Sequence, residues 1–250
     1  MKRLVHPSDL AKASHMRPGD PRIRLLTEVS GLKRLERFYN GIEDLKDLEF
    51  AAAVFRHLEL ELEVAPQDLE NIPREGGLIF VANHPYGAID GLALVNVLGS
   101  VRPDVKVMAN FLLQQLEPLK DRFIGVNPFE QLRSQSSFQG MRQAMEHVSE
   151  GHALAVFPAG EVSSWRTDLK AVADPRWKLP AIKMAQRSGR PVIPIWFDGA
   201  NSMLFQMLGM INPNLRTLAL PSEMMRMRGK TLRMRIGRPI SPNEIAAFRS

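Results

Sequence analysis

The stretch GLIFVANHPYGAIDGLALVNVLG, residues 77–99, decides the fold of this chain. Residues 77–83 form an apolar run typical of a buried strand, and residues 90–99 have the composition of a buried helix. His84 and Asp90 stand on either side of the short turn between them. In α/β sheets, sites form where a strand ends and its loop leads into a helix. Chemistry is therefore expected first at this turn.

The alternation of strand and helix continues along the chain and predicts an α/β fold, with a mostly parallel central sheet flanked by helices. Further strands are predicted at 61–66, 105–110, 122–126, 152–158, 191–197 and 231–237, the last as a half-exposed edge strand. Further helices are predicted at 43–59, 111–119, 138–150 and 180–188.

The N-terminal part, residues 1–60, is predicted to be a helical segment attached to a domain formed by residues 61–250, the two making one compact unit. It includes a basic amphipathic helix at 22–38. At the other end, Ser241 and Glu244 have the spacing of a capping box, which predicts a short final helix.

The composition excludes several classes of protein. With 44% hydrophobic and 24% charged residues the chain is globular, and the absence of cysteine excludes disulfides, thiolate metal sites and a cysteine nucleophile. We find neither a secretory signal nor an apolar run of about 20 residues that would span a bilayer. The expected location is the cytoplasmic face of the membrane, as a peripheral protein.

The net charge of +6 favours an anionic partner. Residues 203–238 carry seven basic residues against one acid, Glu223. An anionic membrane surface and an acidic carrier protein both fit this charge. Nucleic acid does not, because few aromatic residues are interleaved with the arginines and no helix-turn-helix or zinc pattern is present.

His84 and Asp90 have the chemistry of a general base and its orienting carboxylate. Asp90 can hold one ring nitrogen of His84, which leaves the other free to take a proton. The plainer alternatives are that Asp90 is only a helix N-cap and that His84 is structural. The six histidines show no metal-ligand spacing, so no metal is expected. Since no serine or cysteine nucleophile is evident, the base would act on a hydroxyl of the substrate.

The segment around His84 resembles the first motif of the glycerolipid and lysophospholipid acyltransferase family, and three later segments follow in the family's order. They are RFIGVNPFEQLR at 122–133, FPAGEVS at 157–163 and GRPVIPIWFDG at 189–199. FPAGEVS is similar to the family's third motif, which consists of phenylalanine, proline, glutamate, glycine, threonine, arginine and serine. Together the four motifs cover about residues 77–200.

The resemblance implies transfer of a fatty acyl group from a thioester, on coenzyme A or acyl carrier protein, to the hydroxyl of a lyso-lipid, with no other cofactor. It assigns the roles of base and orienting residue to His84 and Asp90. The oxyanion would be stabilised by backbone amides of either the 158–161 turn or the 85–87 loop. The motifs also imply a set of substrate-binding residues: Asn83, Pro85, Tyr86, Gly87, Arg133, Pro158, Gly160, Glu161 and Ser163.

Two departures from the family pattern bear on the acceptor. Five residues separate His84 from Asp90 where the family has four, as in a divergent hemolysin-like branch that includes acyltransferases of ornithine and related amino-acid lipids. Val162 also replaces the arginine expected to grip the acceptor's phosphate. We therefore expect an acceptor such as lyso-ornithine lipid, with Glu161 meeting its amine. Arg133 or Arg166 would otherwise take the place of the missing arginine.

A membrane contact is predicted from the apolar stretch MLFQMLGM at 203–210 beside the basic run. The residues assigned to it are Met203, Phe205, Met207, Arg226 and Arg228. The alternative is that the methionines of residues 203–234 fill the core. Two other functions also remain open: acylation of lysophosphatidic acid or glycerol 3-phosphate, and non-catalytic, hemolysin-like membrane binding.

Overall fold

The computed structural model describes residues 31–110, 116–126 and 135–247, and a seven-stranded sheet lies at its centre. The strand order is β1-β9-β8-β2-β5-β3-β4, and every neighbouring pair is parallel except β8 with β9. The strands are β1 (Glu61–Val64), β2 (Leu78–Ala82), β3 (Lys106–Asn110), β4 (Phe123–Val126), β5 (Ala153–Val156), β8 (Val192–Phe197) and β9 (Thr231–Ile236). The predicted fold class is confirmed.

Helices cover both faces of the sheet. They are α1 (Leu32–Tyr39), α2 (Asp47–His57), α3 (Pro66–Leu69), α4 (Ala88–Val101), α5 (Gln135–Ser149), α6 (Leu179–Ser188), α7 (Met203–Ile211), α8 (Pro213–Arg226) and α9 (Pro242–Ala247). A 3₁₀ helix spans Glu117–Arg122, and β6 (Ser164–Arg166) and β7 (Ala171–Ala173) form a separate antiparallel hairpin. None of the helices in these described ranges combines the length and apolarity needed to span a bilayer.

Strand β2 is buried on both sides, which explains its unbroken apolar sequence. Leu78, Phe80 and Ala82 face one cluster, formed with α2 and α4, whereas Ile79 and Val81 face a second cluster, formed with α5 and α6. Because α2 belongs to the first cluster, packing is continuous across residue 60.

Several sequence predictions need correction. Strand β9 has the predicted alternation of exposed and buried residues, but it is not an edge strand, because β1 pairs with its outer side. The 164–173 hairpin and helices α7 and α8 were not predicted. Most of the helix predicted at 22–38, and residues 111–115 of the helix predicted at 111–119, lie outside the described residues.

The predicted capping box is confirmed, since the Ser241 amide donates to Glu244 Oε2 (2.8 Å) and the Glu244 amide donates to Ser241 Oγ (3.3 Å).

A buried arginine ties together the amino-terminal edge of the sheet. Arg102 is 1% exposed, and it donates to both carboxylate oxygens of Asp104, at 2.8 and 2.6 Å. It also donates to three loop carbonyl oxygens, those of Pro73, Gly76 and Gly151. These loops precede β2 and β5, so one side chain holds the ends of strands that are far apart in sequence.

Asp104 stabilises the fold in a pH-dependent way. Burial would raise its pKa, but hydrogen bonds from Arg102 and from the Ala153 amide outweigh burial and lower the pKa to about 2. A depressed carboxyl pKa stabilises the fold above the pKa of the unfolded chain, about 3.9. That contribution is lost as the pH falls from there towards 2.

We predict that Arg102→Met lowers the free energy of unfolding by about 3 to 5 kcal/mol, because it leaves Asp104 without its partner and three carbonyls without a donor. Urea denaturation at pH 7 measures the loss. Arg142→Met is the control, since it removes an exposed pair with Glu146 and should leave the free energy of unfolding almost unchanged. Equal effects of the two substitutions would contradict the role given to Arg102.

Candidate active site

His84 and Asp90 are in direct contact at the carboxyl end of β2. His84 Nδ1 lies 3.0 Å from Asp90 Oδ2. The Asp90 side chain is fully buried, whereas the His84 side chain is 17% exposed. Within the described residues the other ring nitrogen, Nε2, has no hydrogen-bond partner. The ring stacks on Phe157, with centroids 3.9 Å apart. The imidazole is therefore fixed in orientation and open at Nε2.

Asp90 lies inside the first turn of α4 and is not its N-cap, which is Gly87. Its Oδ2 accepts from the backbone amides of Tyr86 (2.8 Å) and Gly87 (3.0 Å) as well as facing His84. Burial raises the pKa of Asp90, and these hydrogen bonds act in the opposite direction by stabilising the carboxylate. Gly87 has a φ of 83°, a left-handed conformation that turns both amides towards the same oxygen.

Ser163 and Asp174, the residues that flank the 164–173 hairpin, hold the backbone of His84. The His84 amide donates to Asp174 Oδ1 (3.1 Å), and the Ser163 hydroxyl donates to the same oxygen (2.5 Å). The Ser163 amide in turn donates to the His84 carbonyl oxygen (2.8 Å). Sequence reasoning assigned Ser163 to substrate binding, but it is buried and holds the backbone of the histidine. Asp174 was missed, because it lies 90 residues from His84 and outside any motif.

Asn83 and Tyr86 were also predicted to bind substrate, and both are engaged in the fold. The Asn83 side chain donates to the Phe197 carbonyl oxygen and accepts from the Phe197 amide, so it extends the pairing of β2 with β8. The Tyr86 hydroxyl donates to the Asp198 carbonyl oxygen, in a space that Gly199 leaves open. Pro85 is buried in the same turn.

The third motif forms the turn after β5, next to His84. Pro158 is buried, and its carbonyl oxygen accepts from the Lys178 amide. Gly160 has a φ of 69°, and the Lys178 ammonium lies 3.0 Å from the place of a β carbon there. Val162 is buried beside Gly87. This turn and the His84 turn therefore form one continuous surface.

Glu161 in this turn already has two cationic neighbours. Its carboxylate lies 3.8 Å from Lys178 Nζ and 3.6 Å from a guanidinium nitrogen of Arg216, a residue of α8. The contact of Glu161 with an amine of the substrate stays a prediction, and the structure gives the carboxylate two cations of this chain as neighbours. Arg166 is paired with Asp168 and donates to the Asp174 carbonyl oxygen. Arg133 lies outside the described residues.

The backbone amides narrow the choice of oxyanion donors. The amides of Tyr86 and Gly87 donate to Asp90, which removes them as donors to a substrate. The Gly160 amide donates to the Phe157 carbonyl oxygen. In the described part of the chain, the amides of Ala159, Glu161 and Val162 have no backbone or side-chain acceptor. The 158–161 turn, with its neighbour Val162, thus holds the available donors.

The predicted membrane residues divide into two groups. Met203 and Met207 are 69% and 45% exposed on α7, together with Leu204, Met210 and Ile211. The prediction for Phe205 is wrong, because its side chain is fully buried and faces inward from the same helix. Three other methionines of residues 203–234 fill the core, as the alternative prediction held: Met224, Met227 and Met234.

The basic residues near α7 are largely paired. Arg226 contacts Glu223 at 3.6 Å and Arg228 contacts Glu59 at 2.5 Å, and Arg233 and Arg238 also have glutamate partners. These pairs offset much of the positive charge of residues 203–238, and two of the acids, Glu59 and Glu63, come from a distant part of the chain. No group of three histidine, aspartate or glutamate side chains in the described ranges is arranged to hold a metal ion.

Comparison with known proteins decides the family. A family model described as acyltransferase matches residues 21–250. The chain belongs to the acyltransferase family. This confirms the resemblance drawn from the four motifs and establishes the protein as an enzyme of acyl transfer.

Two curated relatives of this acyltransferase are similar over most of their length. It is 34% identical over 226 residues to the lyso-glycine lipid O-acyltransferase of Phocaeicola vulgatus, covering 87% of this chain and 78% of the relative. It is 32% identical over 225 residues to the lyso-glycine lipid O-acyltransferase of Bacteroides thetaiotaomicron, covering 87% and 80%. The crystal structure of the 1-acyl-sn-glycerophosphate (LPA) acyltransferase PlsC from Thermotoga maritima matches with a TM-score of 0.49 and 18% identity, covering 96% of this chain and 78% of that one.

We predict that Asp174→Ala lowers the kcat of the acyltransferase by roughly 10 to 100-fold with little change in KM, because the His84 backbone loses an anchor and the ring shifts. Asp174→Asn keeps an acceptor oxygen and should restore most of the rate. Asp168→Ala, which removes an exposed pair with Arg166 in the same hairpin, is the matched control. A change in KM alone would contradict a positioning role.

Proposed function

We propose that this acyltransferase moves a fatty acyl group from a thioester to the hydroxyl of a lyso-lipid that carries an amino acid, with His84 as general base. The observation that carries the proposal is the contact of His84 Nδ1 with the buried carboxylate of Asp90. A carboxylate on Nδ1 fixes the tautomer in which Nε2 is the unprotonated, basic nitrogen.

In the proposed reaction, Nε2 takes the proton of the acceptor hydroxyl while the hydroxyl oxygen attacks the thioester carbonyl carbon. Asp90 stabilises the imidazolium that results. When the tetrahedral intermediate collapses, the carbon–sulfur bond breaks and the thiolate leaves with the proton that His84 returns. The products are an ester and a free thiol, of coenzyme A or of the prosthetic group of acyl carrier protein.

The tetrahedral intermediate carries a negative charge on the former carbonyl oxygen. We assign its stabilisation to the amides of Ala159, Glu161 and Val162, because those of Tyr86, Gly87 and Gly160 already have acceptors. In enzymes that transfer acyl groups, removing one such donor raises the activation free energy by about 3 to 4 kcal/mol.

The names of the relatives and two features of the site support the proposed acceptor class. Both curated relatives are lyso-glycine lipid O-acyltransferases. Val162 is buried where the family's phosphate-binding arginine would stand, and Glu161 already has Lys178 and Arg216 beside it. A lyso-glycine lipid needs neither a phosphate site nor an acid for a side-chain amine. We therefore favour glycine over ornithine as the amino acid of the acceptor.

We predict that His84→Ala and Asp90→Asn each lower acyl transfer to a lyso-glycine lipid, His84→Ala by about 100 to 10,000-fold, because the base is lost or held in the wrong tautomer. Purified enzyme is assayed with radiolabelled acyl carrier protein or coenzyme A thioester, which also identifies the donor. His57→Ala is the control, since this histidine stacks on Phe38 away from the catalytic turn.

Acceptor choice is tested in the same assay with lyso-glycine lipid, lyso-ornithine lipid and lysophosphatidic acid. We expect lyso-glycine lipid to be acylated at least 10-fold faster than lysophosphatidic acid. Full activity of His84→Ala would refute the mechanism, and a preference for lysophosphatidic acid would refute the acceptor class.

We further propose that the enzyme reaches its lipid by laying an apolar rim on the membrane surface. Most of its exposed large apolar side chains lie in the segments that follow β5 and β8, at the same edge of the sheet as His84. They are Trp165, Leu169, Trp177, Leu179, Met203, Leu204, Met207, Met210 and Ile211. Tryptophan and aliphatic side chains together are typical of surfaces that dip into the interface. The exposed arginines beside them contribute a weaker, salt-sensitive attraction.

We predict that the double substitution Leu204→Glu and Met207→Glu lowers binding to phosphatidylglycerol vesicles by roughly 10 to 100-fold, since two apolar side chains no longer enter the interface. Vesicle sedimentation at low and high salt measures binding. Phe138→Glu is the matched control, because Phe138 is 70% exposed on α5. If the control lost as much binding as the double variant, α7 would not be the contact.

A further inference from the structure

Arg216 is a largely buried cation whose carboxylate neighbour, Glu161, lies beyond hydrogen-bond distance. Its side chain is 12% exposed, and within the described residues its guanidinium makes no hydrogen bond. The nearest carboxylate is that of Glu161, 3.6 Å away, and the guanidinium lies 5.9 Å from the centroid of the Phe205 ring. Arg102, by contrast, satisfies its donors with a carboxylate and three carbonyl oxygens.

The fold makes room for this side chain. Its alkyl part crosses α7 at Gly209, where a β carbon would lie 3.0 Å from Arg216 Cδ. Glycine inside a helix costs about 1 kcal/mol relative to alanine. Burial also lowers the pKa of the guanidinium, with Glu161 opposing that shift. A buried charge without close partners is costly unless a ligand completes it.

The position of Arg216 links it to the reaction. Glu161 and Val162 belong to the turn that borders His84, and Leu220, one helical turn beyond Arg216, lies 3.1 Å from the place of a β carbon on Gly87. Lys178 adds a second cation over Gly160. Two cations thus converge on one half-exposed carboxylate, each beyond hydrogen-bond distance.

We propose that Arg216, assisted by Lys178, binds the carboxylate of the acceptor's amino acid, and that Glu161 occupies this place until the acceptor arrives. The step rests on the proposed function, which supplies a lyso-lipid bearing glycine. A guanidinium can hold a carboxylate through two parallel hydrogen bonds, which Glu161 does not form. The acceptor's carboxylate therefore gains contacts that the resident one lacks. An acceptor phosphate would offer the same chemistry, so the test separates the two.

The test measures binding without an acyl donor, by isothermal titration in detergent micelles. The probes are N-(β-hydroxypalmitoyl)glycine, its methyl ester and lysophosphatidic acid. We expect the wild type to bind the acid more tightly than the ester. Arg216→Gln should weaken binding of the acid by roughly 10 to 100-fold and leave the ester unchanged, because charge-assisted hydrogen bonds are lost.

Two further variants keep the test decisive. Glu161→Gln removes the resident carboxylate on a half-exposed side chain and should tighten binding of the acid several-fold. Arg142→Gln removes an exposed arginine of α5 and should change nothing. Equal affinity of the wild type for acid and ester, or weaker binding of the acid by Glu161→Gln, would overturn the proposal. A loss confined to lysophosphatidic acid would assign the site to phosphate and overturn the choice of carboxylate.

Acyl transfer measured on the same samples separates this site from the proposed function. Binding of the acid that depends on Arg216, without acylation of its hydroxyl, would refute the proposed function and retain the site. Acylation of the acid that Arg216→Gln leaves unchanged in KM would refute the site and retain the function.

Discussion

The buried carboxylate of Asp90 is the constraint on which the catalytic edge of this protein depends. Burying a carboxylate is costly unless it receives hydrogen bonds, and here His84 Nδ1 and two amides of the intervening turn all contact Oδ2. Five residues between His84 and Asp90 allow the amides of Tyr86 and Gly87 to converge on one oxygen. The additional residue is thus part of the turn that orients these amides, and the left-handed conformation of Gly87 allows the turn to form.

The two edges of the sheet differ in how fully their polar groups are hydrogen-bonded. At the amino-terminal edge, Arg102 and Asp104 satisfy each other and close the loops before β2, β3 and β5. At the carboxyl edge, the segments after β5 and β8 are longer and carry incompletely satisfied groups, among them Arg216 and the amides near Val162. Stability is concentrated at the edge where no substrate needs to enter, which leaves the other edge available for chemistry.

The sequence predicted what depends on local pattern and missed what depends on distant partners. The apolar runs located β2, β5 and β8, and the motifs located His84 and Asp90. The β6–β7 hairpin was missed because three-residue strands carry no periodic signal. Phe205 faces inward because of its position around α7, and an almost uniformly apolar stretch does not show which side of the helix is buried. The roles of Asp174 and Arg216 depend on their contacts with His84 and Glu161, which lie 90 and 55 positions away in the sequence.

The pairing of β1 with β9 joins residues about 170 positions apart, Glu61 with Thr231 and Val64 with Met234. β9 is also the partner of the outer side of β8. During synthesis, then, β1 and one side of β8 have no strand to pair with until residues 231–236 have emerged. Exposed strand edges of this kind invite pairing with other chains. The emergence of β9 therefore decides whether a nascent molecule closes its sheet or leaves these strand edges open to aggregation.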